Sequence, residues 1–331
     1  MLDLVYTNQI SLMALVTHYP FQLYCGQLIT LFKKAKTNSN PALFLFKNKA
    51  RVNVFMAESI LRVSNKLFED KQIKEWHSTI KKLEDYLGQI ENYIEVLADF
   101  SKLKTVKVQQ LEYVSGKLDK AVEKLNSKLS KNDFYLAELA QMNKEFKINF
   151  NDKTIVLKLH EEIRYELIEA CEFFNEFPKG FIDMEKQVHE LRRKLRWISI
   201  YGESFQGLIV LQEQKEKHAW EKYFITQKEI KNPFNKLPVN KKLSQHIILN
   251  KKAFYALSFM ITHLGIIKDK AFGLYLLEKS IRKTNTEAGI NSAILASKQL
   301  GAKYTEDSLL KEAHSLLNTY FNKYKIYEVL V

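Results

Sequence analysis

The stretch KEWHSTIKKLEDYLGQIENYIEVLADF, residues 74–100, decides the fold class of this chain. Its apolar side chains recur at alternating intervals of four and three residues. Such spacing places them along one face of an α-helix, so the stretch predicts a long amphipathic helix packed against partner helices. The residues of this apolar face are Trp76, Ile80, Leu83, Leu87, Ile90, Ile94 and Leu97.

A second apolar stripe follows and predicts the partner helix of an antiparallel hairpin, with the junction near residues 101–105. Further stripes at helical spacing occupy 159–177, 188–198 and 260–281, so we predict an all-α fold. A strand at 154–159 is the one alternative, but a single strand would lack a backbone partner. The residues of the second stripe are Leu111, Val114, Leu118, Val122, Leu125 and Leu129.

The composition favours long helices joined by few turns. Only 10 glycines and 5 prolines occur among 331 residues, and these residues are the usual helix breakers. Polar or proline-containing breaks at 149–153, 178–180, 231–240 and 284–291 divide the chain. The predicted segments are an apolar helical N-terminus (1–46), a first helical half (47–150), a second helical half (151–283) and a C-terminal helical extension (284–331).

The most apolar part of the chain is residues 10–32, which His18, Gln22 and Gln27 interrupt short of the roughly 20 apolar residues of a membrane span. We therefore predict one or two buried helices and no transmembrane segment, with a peripheral membrane contact as the alternative. Two cysteines without CxxC spacing, and a start that lacks a cationic leader, favour a reducing, cytoplasmic location.

The chain is strongly basic, with 51 Lys and Arg against 38 Asp and Glu and a formal charge of +13. This excess attracts anions such as nucleic acid, polyanions or acidic lipid, although a lysine-rich proteome would produce the same total. The charge is concentrated in KQVHELRRKLR, residues 186–196, where helical spacing predicts one cationic ridge. The ridge contains Lys186, His189, Arg193 and Arg196, and Arg192 flanks it.

The ridge has two interpretations. The planar fork of an arginine matches phosphate oxygens, and a protonated histidine adds a donor, so the ridge suits a phosphate chain. The other interpretation is a solvated helix face whose bases pair with neighbouring glutamates. In the first half, basic residues that include Lys49 and Arg51 are candidate contributors to the same surface.

A weak internal repeat relates the two halves. In the first half, NKAR (48–51) opens a helix and LGQIEN (87–92) lies in a later one. In the second half, HELR (189–192) opens a helix and LGIIKD (264–269) lies in a later one.

This repeated pair of motifs resembles the conserved-histidine α-helical domain family, known as CHAD, over roughly residues 48–278. The resemblance implies two pseudo-symmetric antiparallel helical bundles and a basic cavity that binds phosphate polyanions, notably inorganic polyphosphate. The second half matches the family pattern with His189, Arg192, Arg193 and Arg196.

The first half departs from the family pattern, and this places its anion binding in doubt. Asn48 replaces the expected histidine, Arg51 is retained, and Phe55 stands where a base is expected. The basic–Asp pair after the Leu-Gly motif is replaced by Glu91 and Asn92.

Signals for catalysis are sparse, so we expect a non-enzymatic protein without a cofactor or metal. HEEIR at 160–164 lacks the second histidine of HExxH, and the chain contains no GxxxxGK[ST], GxGxxG or GxSxG motif. Nucleic-acid binding is a weaker alternative, because no RNP-like or zinc-finger pattern accompanies the basic residues. A helical scaffold for an unknown protein partner remains the main alternative function.

Overall fold

The computed structural model describes residues 19–130, 134–284 and 291–331, and within these ranges the chain forms thirteen α-helices and two short strands. The all-α prediction is therefore confirmed apart from one small strand pair. The helices are α1 (Pro20–Lys36), α2 (Pro41–Lys47), α3 (Ala50–Phe68), α4 (Lys71–Phe100), α5 (Val108–Leu129), α6 (Phe134–Glu145), α7 (Lys153–Asn175), α8 (Glu190–Ser204), α9 (Glu221–Phe224), α10 (Gln227–Lys231), α11 (Lys251–Thr284), α12 (Ser292–Gln299) and α13 (Glu306–Asn318).

The predicted hairpin of two long helices is present as α4 and α5, which pack against each other. Helix α4 begins after Asp70, whose side chain accepts a hydrogen bond from the Ile73 N–H at 2.9 Å. The apolar stripe of α4 is buried from Trp76 to Ile90, as its spacing predicts. Helix α3 packs along the same helix, so α4 lies between two neighbours.

Helix α7 begins at the end of the predicted break at 149–153, where the predicted second half starts. The Asp152 side chain accepts hydrogen bonds from the Thr154 and Ile155 N–H groups at 2.9 and 3.2 Å. This cap commits the segment to a helix, so the alternative of a strand at 154–159 is wrong. The helix ends at Asn175, just before the predicted stop at 178–180.

The two strands were not predicted from the sequence. They are β1 (Ile209–Gln212) and β2 (Ile247–Asn250), which pair in parallel with Ile209 opposite Ile247. The connection between them contains α9, α10, a 3₁₀ turn at Pro233–Asn235 and the predicted proline-containing loop. Strand β2 leads directly into α11.

The outer segments complete the core. Helix α1 packs against α3 and α6, and α13 packs against α11. Cys25 and Cys171 are separate buried thiols, and Cys25 Sγ donates to the Leu139 carbonyl at 3.1 Å. Residues 1–18 of the predicted N-terminal segment, and most of the predicted link at 284–291, fall outside the described residues.

Four helices, α3, α4, α8 and α11, hold most polar side chains of the candidate anion-binding site. Helix α3 packs against both α4 and α8, and α11 packs against α8. A π-helical turn (Met184–His189) precedes α8 and also contacts α11. None of the described helices has the length and apolarity that crossing a bilayer requires.

Candidate anion-binding site

The predicted cationic ridge starts in the π-helical turn and not in a regular α-helix. The Asp183 side chain caps this turn by accepting from the Glu185 and Lys186 N–H groups at 2.9 and 2.8 Å. A π turn closes i→i+5 hydrogen bonds, so the spacing of 3.6 residues per turn does not hold across it. Lys186 is exposed there, and His189 Nδ1 lies 2.7 Å from Glu185 Oε1. The Nδ1 nitrogen of His189 is therefore engaged by its neighbour.

Arg192 is held against α11 by a backbone contact. Its Nε donates to the Ile261 carbonyl at 3.0 Å, and its guanidinium lies over Gly265. A Cβ at Gly265 would lie 3.0 Å from Arg192 Nε and Nη2, so the glycine lets the guanidinium lie against the helix without a shift. Burial is the largest influence on the Arg192 pKa and lowers it; Asp269 raises it and Arg51 lowers it further. No carboxylate among the described residues forms an ion pair with Arg192.

Arg196 lies one helical turn after Arg192 and packs on an aromatic ring. Its guanidinium carbon is 4.1 Å from the centroid of the Phe55 ring, a cation–π distance. Burial lowers the pKa of Arg196 to about 10, and the charges of Arg192 and Arg51 contribute to the same shift. The group is still a cation at neutral pH. Within the described part of the chain it has no carboxylate in ion-pair contact.

The other two cations of this region have partners. Arg193 Nη1 lies 3.2 Å from Glu190 Oε2, and both side chains are well exposed, so this pair fits a solvated helix face. Lys268 Nζ donates to Asn92 Oδ1 at 3.4 Å and lies 3.2 Å from Asp269 Oδ1. The Lys268 side chain is only 11% exposed, unlike that of Arg193.

Arg51 occupies the matching position in the first half, but its charge is neutralised. Its Nε and Nη2 donate to Glu84 Oε1 at 3.0 and 2.6 Å, and its Nη1 donates to Glu91. Burial lowers the Arg51 pKa, but the two carboxylates outweigh this effect and the pKa is raised. Lys49, the other predicted contributor, is exposed at the junction of α2 and α3, where its φ is 54°.

The same arginine–glycine contact occurs in both halves. A Cβ at Gly88 would lie 2.6 Å from Arg51 Nη2, just as a Cβ at Gly265 would crowd Arg192. We define two pockets around these contacts. The first-half pocket is Arg51, Phe55, Glu84, Gly88 and Glu91, and the second-half pocket is Arg192, Arg196, Ile261, Gly265 and Lys268.

Glu84 and Lys268 were not assigned to a binding site from the sequence. Glu84 lies four residues before Gly88 and Lys268 three residues after Gly265, so both share a helix face with the glycine of their motif. That spacing is the signal that identifies them. The spacing alone does not show which side chain Glu84 or Lys268 contacts, because the arginine beside each glycine comes from another helix.

A deeper polar cluster accounts for two further basic residues of α3. Arg62 donates to Glu166 and to the Tyr201 hydroxyl, and Tyr201 donates to Glu166 Oε1 at 2.9 Å. Lys66 Nζ lies 2.5 Å from Glu162 Oε1 and 3.2 Å from Glu166 Oε1. These cations are fully paired, so they tie α3 to α7 and are not available to a ligand.

The buried Glu58 and the partly exposed His77 lie next to each other beside the pockets. Glu58 is only 2% exposed, and its Oε1 lies 3.8 Å from His77 Nε2, too far for a hydrogen bond. Glu58 Oε2 and His77 Nε2 have no hydrogen-bond partner among the described residues. Burial, followed by the charge of Glu84, raises the pKa of Glu58 to about 7. Burial, followed by the charge of Arg62, lowers the pKa of His77 to about 4.

No protein-family model matches the chain, and none of the curated proteins matches it. Among the described residues, no group of three or more His, Cys, Asp or Glu side chains converges as a metal site would require. The second-half pocket instead gathers guanidinium and ammonium groups, which suits an anion.

Proposed function

We propose that this chain binds inorganic polyphosphate or another phosphate polyanion, without catalysis, through the second-half pocket. The observation that carries the proposal is the pair Arg192 and Arg196. Both are half-buried cations one helical turn apart, and neither contacts a carboxylate among the described residues.

Such an arrangement is unfavourable without a ligand. Removing a charge from water is costly unless a partner compensates, and the two guanidinium groups also repel each other. A phosphate anion between them would offset both penalties. The Nη groups of Arg192, which have no hydrogen-bond partner within the described part of the chain, present donors in the fork geometry that phosphate oxygens match.

The matching arginine–glycine contacts support the proposal that the chain is a divergent CHAD-like repeat protein. Arg51 packs on Gly88 and Arg192 packs on Gly265, and in each half the arginine opens one helix while the glycine lies in a later one. The repeat motifs thus form the same local contact twice. We assign no reaction to this pocket, because its charged side chains are hydrogen-bond donors and not nucleophiles or general bases.

The test compares the double variant Arg192→Ala/Arg196→Ala with the parent chain. Affinity for tripolyphosphate and for long-chain polyphosphate is measured by titration calorimetry, and retention on heparin is measured in parallel. Loss of two charge-assisted contacts is expected to weaken binding roughly 100-fold. Binding by the parent should also weaken as salt is raised, because counterions are displaced.

A matched control removes two exposed charges elsewhere. Lys158→Ala/Arg164→Ala on α7 lowers the net charge equally and should retain affinity within about threefold of the parent. Equal losses in the site and control variants would show only a general charge effect. No binding of either probe by the parent would overturn the proposal and leave the protein-interaction scaffold as the favoured function.

A further inference from the structure

The two pockets use equivalent positions for opposite purposes. Four residues before the glycine, the first-half pocket has the Glu84 carboxylate, whereas the second has the Ile261 carbonyl. Three residues after the glycine, the first has Glu91 and the second has Lys268. One turn after the arginine, the first has Phe55 and the second has Arg196.

Their charge balance differs accordingly. The first-half pocket sets one guanidinium against two carboxylates and is formally negative. The second-half pocket contains three cations; the exposed Asp269 contacts Lys268, and the charges of Glu84 and Glu58 act on Arg196 without forming an ion pair among the described residues. The two pockets adjoin, because the guanidinium carbons of Arg51 and Arg196 lie 4.8 and 4.1 Å from the centroid of the same Phe55 ring. An anion that reaches this region is therefore expected to favour the second-half pocket, which has the excess of positive charge.

The donors of Arg51 are also occupied. Glu84 Oε1 accepts from Nε and Nη2, and Glu91 accepts from Nη1, so all three guanidinium nitrogens have a carboxylate partner. Among the described residues, the one hydrogen bond of the Arg192 guanidinium is from Nε, and it goes to a neutral carbonyl. A phosphate would have to displace two tethered carboxylates to reach Arg51, and tethered groups compete at high effective concentration.

We propose that Glu84 and Glu91 act as built-in anions that fill the first-half pocket and restrict phosphate binding to the second. This inference rests on the proposed function, since it specifies which half receives the ligand. It makes the two glutamates specificity-determining residues. Their carboxylates compensate Arg51 in the way that a bound phosphate would compensate Arg192 and Arg196 in the second-half pocket.

The test asks whether removing the two carboxylate charges increases the affinity for tripolyphosphate. Glu84→Gln/Glu91→Gln keeps an acceptor oxygen at each position but removes both charges, which frees Arg51 to bind an anion. The change is introduced into the Arg192→Ala/Arg196→Ala background, and tripolyphosphate affinity is measured by calorimetry. We expect affinity to rise at least about tenfold over that background, and to be lost again when Arg51→Ala is added.

A control variant separates this effect from net charge. Glu75→Gln/Asp99→Asn removes two exposed carboxylates from the same helix, about 16–20 Å along its axis from Gly88, and should give a gain below about twofold. Thermal unfolding followed by circular dichroism confirms that every variant is folded.

The outcomes distinguish this inference from the proposed function. If the parent binds tripolyphosphate but the glutamate changes give no gain beyond the control, the inference is overturned and the proposed function stands. If the parent does not bind but the glutamate variant does, the filling of the first-half pocket is supported and the proposed function is overturned. A gain that persists after Arg51→Ala contradicts the inference, because the freed group would not be Arg51.

Discussion

The first-half and second-half pockets share an arginine packed on a helical glycine, but they differ in how the charge of the arginine is compensated. In each, an arginine packs on a helical glycine that leaves room for its guanidinium. Arg51 is compensated from within the chain by Glu84 and Glu91, whereas Arg192 and Arg196 have no such partner among the described residues. The comparison teaches that the same arginine–glycine contact can have its charge compensated by carboxylates of the chain itself or be left open to an external anion, as proposed for the second-half pocket.

The Glu58–His77 pair next to the first-half pocket allows the largest predicted effect. Seven residues after its arginine, the first half carries Glu58 and the second carries Ser199, so a buried acid distinguishes the halves. The folded-state pKa of Glu58, about 7, lies above its ordinary value of 4.5. Folding therefore takes up a proton between these values, and the free energy of unfolding falls as pH rises from 4.5 to 7, by up to about 3 kcal/mol.

His77 acts in the opposite direction. Its folded-state pKa, about 4, lies below its ordinary value of 6.5, so folding releases a proton and stability rises with pH between 4 and 6.5. The two contributions nearly cancel from pH 4.5 to 6.5. Lys81 faces both groups, and Asp85 and Arg193 also face Glu58.

Single substitutions should separate the two slopes. Between pH 4.5 and 6.5 the free energy of unfolding of Glu58→Gln should rise with pH, because only the His77 contribution remains. That of His77→Gln should fall with pH, because only the Glu58 contribution remains. Denaturant unfolding at a series of pH values measures both, with the exposed residue change Glu75→Gln as the control. A parent-like pH profile in both variants would contradict the assignment of two neutral buried groups.

The next prediction compares the two arginines directly. Arg51→Ala leaves Glu84, only 12% exposed, next to Glu91 without their shared cation, and should destabilise the fold by about 2 kcal/mol after allowing for partial exposure. Arg196→Ala removes an uncompensated cation and its packing on Phe55, so the expected loss is below about 1 kcal/mol.

Denaturant unfolding in phosphate-free buffer, repeated with tripolyphosphate, tests this pair of substitutions. Tripolyphosphate should stabilise the parent and the Arg51→Ala variant by mass action. It should stabilise the Arg196→Ala variant less, because that variant lacks one of the proposed ligand contacts. Equal destabilisation by the two substitutions in the absence of ligand would remove the distinction between internal and external compensation.

The helical framework could be predicted because it depends on local pattern. The apolar stripe through Leu83 and Leu87 identified α4, and the polar break before Lys153 marked the start of α7. The pairing of β1 with β2 escaped prediction, since each strand has four residues and its partner lies beyond two short helices and a long loop. Such short segments show no usable alternation.

The site could be predicted only in part. The motifs identified Arg51, Arg192 and both glycines, but not how each guanidinium is compensated. Glu84 lies between the apolar positions of its helix, where a charged residue usually faces water, yet it is largely buried against Arg51. Its partner is 33 residues away on another helix, and no local pattern encodes such a contact.

The smallest predicted effects concern the glycines that both pockets share. In Gly88→Ala and Gly265→Ala, the new Cβ would crowd the ends of flexible arginine side chains, so the guanidinium shifts and the backbone does not. Alanine also favours a helix interior by up to about 1 kcal/mol. The net change in stability should therefore stay below about 1 kcal/mol for both variants.

Anion affinity should nevertheless separate the two variants. Gly265→Ala moves Arg192 away from the Ile261 carbonyl, so tripolyphosphate affinity should fall several-fold, about 1 kcal/mol, whereas Gly88→Ala should leave affinity unchanged. Gly273→Ala on the same helix is the matched control, because its Cβ would make only an ordinary contact with Phe100 at 3.9 Å. The loss must also vanish when Gly265→Ala is made in an Arg192→Ala background, since the glycine acts only by placing that guanidinium. A loss that persists there would mean that α11 itself had moved.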